Sequence, residues 1–344
     1  MGRVVKILSL YAAITLSSAA LYVYIISSGK THDFRESAVQ SVSLEKKAAK
    51  DNLDPEPDTE QHTWHDTLSI DDSVARELST QTRVLCWVPA RASDITKSIR
   101  AVNETWVRRC DGHLFFVETK QPAWDIVSVG VDGAKRLAEK MYAATVYIYK
   151  HHLDQYDWFY RADDNTYAIM ENLRLLLSKY DPNQPVYLGQ LYQVHTPHGY
   201  MTGGGGYVIS REALRVLIEE GFQKNKCPPV EGHGDDIHIA KCLHAVGVKR
   251  HYSLDKFGRE TFHQQSAQEV IAGTEPTRIM KKFAHFPQHV GRNCCSELTI
   301  SLHQVDPDQM LVLDHLLYRT SVYGRVQDPA KLKDLFQNKT IPMP

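Results

Sequence analysis

The spacing of apolar positions changes along this chain, and each change marks an element. From Ile7 to Ser28 the run ILSLYAAITLSSAALYVYIISS carries no charge over 22 residues. As a helix rising about 1.5 Å per residue it would match a hydrocarbon core of about 30 Å, which predicts a membrane span. A cleaved signal peptide processed near Ser18-Ala19-Ala20 is the competing reading, and the run is long for one. Arg3 and Lys6 precede the run, whereas Lys30 and Arg35 behind it alternate with Asp33 and Glu36, so residues 1–6 read as a cytoplasmic tail and the remainder as luminal. Residues 29–80 are rich in Asp, Glu, Lys, Ser and Thr without an apolar period, and read as a solvated stem.

Beyond the stem the pattern alternates between strand and helix. RVLCWV (83–88) is an apolar β-type run, and Ile95, Ile99, Val102 and Trp106 then recur at helical spacing. Strands are predicted over 113–118, 126–129, 158–160, 186–188 and 207–209, with helices over 133–152, 168–180, 211–220 and 236–245. The alternation predicts an α/β sandwich with a mostly parallel central sheet and helices on both faces, occupying 81–325, followed by a peripheral tail over 326–344.

Charge narrows the function. With 40 Lys+Arg against 41 Asp+Glu the net charge is −1, which argues against a protein that holds nucleic acid on a broadly basic face. Six cysteines are too few to replace a core, but suffice for bridges in an oxidising compartment. The simplest scheme pairs Cys86 with Cys110, Cys227 with Cys242 and Cys294 with Cys295, while the sequence leaves other connectivities open. Two glycan acceptor triplets, Asn103-Glu104-Thr105 and Asn338-Lys339-Thr340, are consistent with a luminal setting.

Candidate chemistry concentrates where the 158–160 strand ends. Asp163, Asp164 and Asn165 follow an apolar strand directly, and hard oxygen donors at such a sheet edge suit Mg²⁺ or Mn²⁺ bridging a diphosphate. A solvated turn is the plainer alternative. Asp235 and Asp236 open a helix, either as a simple cap or with one of them as a general base. Gly203–Gly206 lacks the Lys-Ser/Thr of a P-loop and leads into a strand, so it reads as a place where a ligand or another backbone comes close. No HExxH or CxxC pair supports a dedicated zinc site, and His303 taken alone reads as a core histidine.

Taken in order, VLCWV, ETWVRRC, DWFYRADDNTYAIMENLRLLLSKYDPNQPVYLG, GYMTGGGGYVISREAL, GRETFH, CCSEL and LHQVDPDQM resemble the core 1 β1,3-galactosyltransferases of glycosyltransferase family 31, from about Val84 to Gly324. The cysteine positions agree with that family's, in support of the scheme above. The resemblance implies a GT-A fold in a type II Golgi membrane enzyme, a homodimer that moves galactose from UDP-galactose onto O3 of GalNAc linked to Ser or Thr, with Mn²⁺ and with inversion. By position it makes Asp163, Asn165 and His303 the metal ligands. It places Lys140, Asp163 and Asp164 on the donor and makes Asp236 the base. Two departures stand out. The family's third aspartate is Asn165 here, a neutral and weaker cation ligand. The family's aromatic-rich stretch before the cysteine pair reads TRIMKKFAHFP (277–287) and lacks Trp, which bears on acceptor preference. An inactive chaperone-like relative, or a transferase with another sugar or acceptor, are the alternatives; the first is disfavoured because Asp163, Asp164, Asp236 and His303 are all retained.

Overall fold

The computed structural model describes residues 70–119, 126–130, 137–228, 234–325 and 327–341. All of them fall in one compact unit, within residues 46–344. The predicted tail 1–6, the span 7–28 and the stem as far as residue 69 lie outside the described residues, and among those described no helix is long and apolar enough to cross a membrane.

The described strands are β1 (Val84–Pro89), β2 (Gly112–Val117), β3 (Ile126–Ser128), β4 (Trp158–Arg161), β5 (Tyr167–Ala168), β6 (Val186–Gly189), β7 (Leu191–Tyr192), β8 (Tyr200–Met201), β9 (Tyr207–Ser210), β10 (Lys249–Arg250), β11 (Phe262–His263) and β12 (Ser301–Leu302). The helices are α1 (Ser73–Gln81), α2 (Arg100–Glu104), α3 (Leu137–His152), α4 (Met170–Leu177), α5 (Arg211–Val216), α6 (Asp235–Ala245), α7 (Arg278–Phe283), α8 (Pro307–Tyr318) and α9 (Pro329–Lys333).

Seven strands form one sheet in the order β10-β6-β9-β4-β1-β2-β3. Every neighbouring pair is parallel except the two that involve β9, which runs against β4 and β6. A mostly parallel central sheet is thus observed as expected. Its inner strand β1 is buried at all six positions, the mark of a strand covered on both faces. Reversal of β9 has a direct consequence: Tyr207 at its start pairs with Arg161 at the end of β4. The glycine run before β9 therefore arrives at the same sheet edge as the carboxyl ends of the parallel strands, where open α/β sheets bind ligands.

A second sheet, β11-β12-β5, stands beyond that edge, with β5 antiparallel to β12. Ala168 therefore belongs to a strand with Tyr167 and not to the start of the helix predicted over 168–180, which begins at Met170. The reason is pairing with β12, far along the chain, which local periodicity does not reveal. All three disulfides of the simplest scheme are present, Cys86–Cys110, Cys227–Cys242 and Cys294–Cys295. The Trp-free stretch contains α7, capped by Thr277, whose hydroxyl accepts the Met280 N–H at 3.3 Å.

Both ends of the folded unit differ from the sequence reading. Helix α1 lies within the stretch read as stem and is fixed at its end by Arg174, whose Nε donates to the Thr82 carbonyl at 3.3 Å. The stretch read as a peripheral tail docks on the domain: Leu335, Phe336 and Ile341 are buried, and Phe336 and Thr340 pair with Asp255 and His251. These few apolar side chains lie too far apart for a visible period, yet they pack on the main body.

Candidate functional site

Strand β4 ends at Arg161, whose side chain is 2% exposed and carries two carboxylates on one nitrogen. Its Nη2 lies 2.8 Å from Asp163 Oδ1 and 2.9 Å from Asp235 Oδ2. Burial opposes the guanidinium charge, but Asp163 and Asp235 outweigh it and hold Arg161 more firmly protonated than an exposed arginine. One cation thus joins the turn after β4 to the first residue of α6.

The turn itself is pinned by backbone. Thr166 N–H donates to the Asp163 carbonyl at 3.1 Å, and Val305 N–H to the Asn165 carbonyl at 2.9 Å. Because β12 pairs with β5, the residue after β12 emerges beside this turn, and that residue is His303. Its Nε2 faces Asp163 Oδ2 at 3.7 Å. Its Nδ1 lies 2.9 Å from the Gln264 carbonyl, which can only accept, so Nδ1 carries a hydrogen and Nε2 is the nitrogen left to face Asp163. Orientation of a histidine by a carbonyl behind it is the usual support of a metal ligand. Asp163 divides its oxygens accordingly, Oδ1 to Arg161 and Oδ2 toward His303. A carboxylate oxygen and an imidazole nitrogen turned toward each other, with the Asn165 turn alongside, are donor types that suit Mn²⁺. Among the described residues no group of three or more His, Cys, Asp or Glu is gathered to hold a metal.

The glycine run is explained by its neighbours. A Cβ on Gly203 would fall 2.5 Å from Arg161 Nη1, and one on Gly206, whose φ is +81°, would fall 2.5 Å from the Tyr160 hydroxyl. Side chains of the site come close at Gly203, Gly204 and Gly206, and a second backbone does so at Gly205, where a Cβ would fall 3.2 Å from the Gln264 nitrogen. At Gly204 the added Cβ would lie 2.5 Å from His303 Cε1 and 2.6 Å from Nδ1, while the Gly204 carbonyl is held by Thr166 Oγ1 at 2.8 Å. Gly204→Ala is therefore expected to turn the His303 ring off the Gln264 carbonyl and to weaken Mn²⁺ binding by about 10–100-fold, read by titration of the free Mn²⁺ paramagnetic signal.

At the start of α6 the two aspartates separate in role. Asp235 is taken up by Arg161. Asp236 Oδ2 accepts the Gly203 N–H at 2.9 Å and Oδ1 the Ile237 N–H at 2.8 Å. Burial, and then the charge of Asp235, push the Asp236 carboxyl up to about 6, against the pull of the Gly203 amide and Arg161. Asp235 is raised as well, burial outweighing its arginine. A carboxylate so poised can take a proton near neutral pH.

Two predicted donor residues sit differently. Lys140 is buried and donates to the Ala90 carbonyl at 2.8 Å and to Glu118 Oε2 at 3.3 Å. It thus lies at the carboxyl ends of β1 and β2, tied to Glu118 instead of to the aspartates. Burial first, then the charges of Asp163 and Asp94, push Asp164 up to about 6. Asp94 and Arg91, which also act on this carboxyl, come from the segment after β1. Sequence reasoning missed Arg161, Gln264 and Glu118 as parts of the site. The one available signal was a charged residue closing an otherwise apolar strand; Gln264 and Glu118 carry none.

A polar edge of this kind on a mostly parallel sheet is where open α/β sheets bind ligands, and comparison with known proteins gives the class. The Fringe-like family model matches residues 95–339, and the chain belongs to that family of glycosyltransferases. It is 35% identical over 274 residues to glycoprotein-N-acetylgalactosamine 3-beta-galactosyltransferase 1 of Xenopus laevis, covering 77% of this chain and 75% of that one. More distant similarity links it to the beta-1,3-glucosyltransferase of Mus musculus, 29% identical over 48% of this chain and 36% of the relative. Chondroitin sulfate synthase 3 of Homo sapiens is 28% identical over 43% of this chain and 19% of its own length.

Proposed function

We propose that the chain is an inverting, metal-dependent β1,3-galactosyltransferase, anchored in the Golgi membrane by residues 7–28, that transfers galactose from UDP-galactose to O3 of GalNAc on Ser or Thr. The observation that carries this reading is the bridge made by Arg161, which sets the Asp163 and His303 donors on one side and the Asp235–Asp236 pair on the other. In a single displacement the acceptor O3 forms its bond to C1 of galactose as the C1–O bond to UDP breaks, and the O3 proton passes to Asp236. The Asp236 carboxylate is held for that task by the Gly203 and Ile237 amides. Asp163, Asn165 and His303 would hold the Mn²⁺, which when bound neutralises charge on the departing diphosphate. Lys140 and Asp164 flank the donor on the β1 and β2 side. The family relation and the similarity to the Xenopus laevis enzyme support the sugar and acceptor named.

The test is transfer from UDP-galactose to a GalNAc-Ser/Thr peptide with Mn²⁺, run beside Asn165→Asp. Turnover by the natural chain is expected, with Asn165→Asp lowering the Mn²⁺ concentration needed for half-maximal rate by about tenfold, since an anionic oxygen replaces a neutral one. No transfer by either protein to any GalNAc acceptor would overturn the reading.

A further inference from the structure

Behind His303 runs a chain of hydrogen bonds that ends on a buried carboxylate the proposed reaction does not use. His303 Nδ1 bonds to the Gln264 carbonyl at 2.9 Å. Gln264 N–H donates to Gln190 Oε1 at 2.7 Å, Gln190 Nε2 donates to Gln288 Oε1 at 3.0 Å, and Gln288 Nε2 donates to Glu260 Oε1 at 3.1 Å. The direction of every link is forced by chemistry. The Gln264 backbone N–H can only donate, so Gln190 must present its oxygen there and its amide nitrogen to Gln288. Gln288 must then present its own oxygen to Gln190 and its nitrogen to Glu260. All donors thus point the same way, from the histidine to the carboxylate; the Gln190 and Gln288 amides polarise each other, and at Gln264 the link passes through the position of its backbone, whose carbonyl and N–H belong to successive peptide groups.

Glu260 is 5% exposed, and its Oε2 has no hydrogen-bond partner among the described residues. Its backbone carbonyl accepts the Ser296 N–H at 3.0 Å, immediately after the Cys294–Cys295 disulfide. Burying an acid with an orphaned oxygen costs stability, so packing alone does not account for it. Burial pushes the group up to about 8, and the Oε1 that Gln288 uses accepts a hydrogen bond in either protonation state.

We propose that Glu260 is a positioning residue that acts through Gln288, Gln190 and Gln264 to hold the His303 ring with its Nδ1–H on the Gln264 carbonyl and Nε2 facing Asp163. The proposal rests on His303 as a metal ligand for its effect, but not for the ring state itself. The full-length chain and its Glu260→Gln, Glu260→Leu and Gln190→Leu variants would be compared by two measurements. Long-range proton–nitrogen NMR of ¹⁵N-histidine-labelled protein, assigned with His303→Ala, reads the His303 tautomer without metal. Titration of the Mn²⁺ paramagnetic signal reads affinity. A protonated Nδ1 is expected in the natural chain and in Glu260→Gln, whose oxygen still accepts. Gln190→Leu is expected to mix the tautomers and weaken Mn²⁺ binding by about tenfold, with Glu260→Leu intermediate. If the natural chain binds no Mn²⁺, the metal assignment fails and the tautomer decides the relay on its own. Folded Gln190→Leu and Glu260→Leu proteins with an unchanged His303 tautomer would overturn the proposal; should Glu260→Leu not fold, the tautomer in Gln190→Leu decides it.

Discussion

Replacing Asp236 by Asn is expected to lower kcat by about 10²–10⁴-fold, the span that general-base catalysis contributes, with little change in KM for the UDP-sugar. Asn keeps an oxygen for the Gly203 or Ile237 amide but cannot take the acceptor proton. The pH profile provides a second readout. Because the folded Asp236 carboxyl is raised to about 6, the rate in the natural protein should fall as pH drops through that value, as the base becomes protonated. The limb belongs to the Asp235–Asp236 pair together and should disappear from the residual activity of the variant. Stability should move the other way. A raised carboxyl favours the folded state most below its unfolded value, and that contribution is lost as pH rises through about 6. At neutral pH the ionised Asp236 therefore costs stability, and Asp236→Asn should melt at the same temperature as the parent or higher. A variant that is both inactive and destabilised would indicate a structural role for the residue.

Arg161→Met should have the largest effect on the fold. The arginine is fully buried and is the shared partner of Asp163 and Asp235, and removing it leaves two carboxylates close together without their cation. Breaking a buried pair from one side costs about 3–5 kcal/mol, measurable as a shift in the urea midpoint. The loss should shrink as pH is lowered, because Asp235, already raised by burial, takes up a proton more readily once the guanidinium is gone. Arg161→Lys restores a charge but not the planar fork, and should recover stability better than activity. An Arg161→Met protein as stable as the parent would show that the carboxylates had found other partners.

The parallel sheet is legible because strands covered on both faces read as short apolar runs, as at Val84–Pro89 and Trp158–Arg161. Asp163, Asp164 and Asp235–Asp236 stand out because their carboxylates mark the ends of such elements. His303 is not legible from the residues around it, and only the family resemblance gives it a role. Its surroundings are apolar, and what brings it to Asp163 is the pairing of Ser301–Leu302 with Tyr167–Ala168. The docking of the Leu335 to Ile341 segment escapes the sequence for a related reason, since its buried side chains answer to a surface supplied by other parts of the chain.

By itself, then, the sequence determined the α/β alternation and the residue types of the site, since each depends on neighbours in the chain or on the chemistry of a side chain; the cysteine pairs it left open, and the fold closed them. The tertiary structure decided which of those residues meet. Arg161 became a bridge and Asp235 its partner, leaving Asp236 with its two amides, and His303 acquired its tautomer from Gln264. Hydrogen bonds between distant segments depend on how strands pair and on which way a buried donor has to point, and neither leaves a period in the sequence.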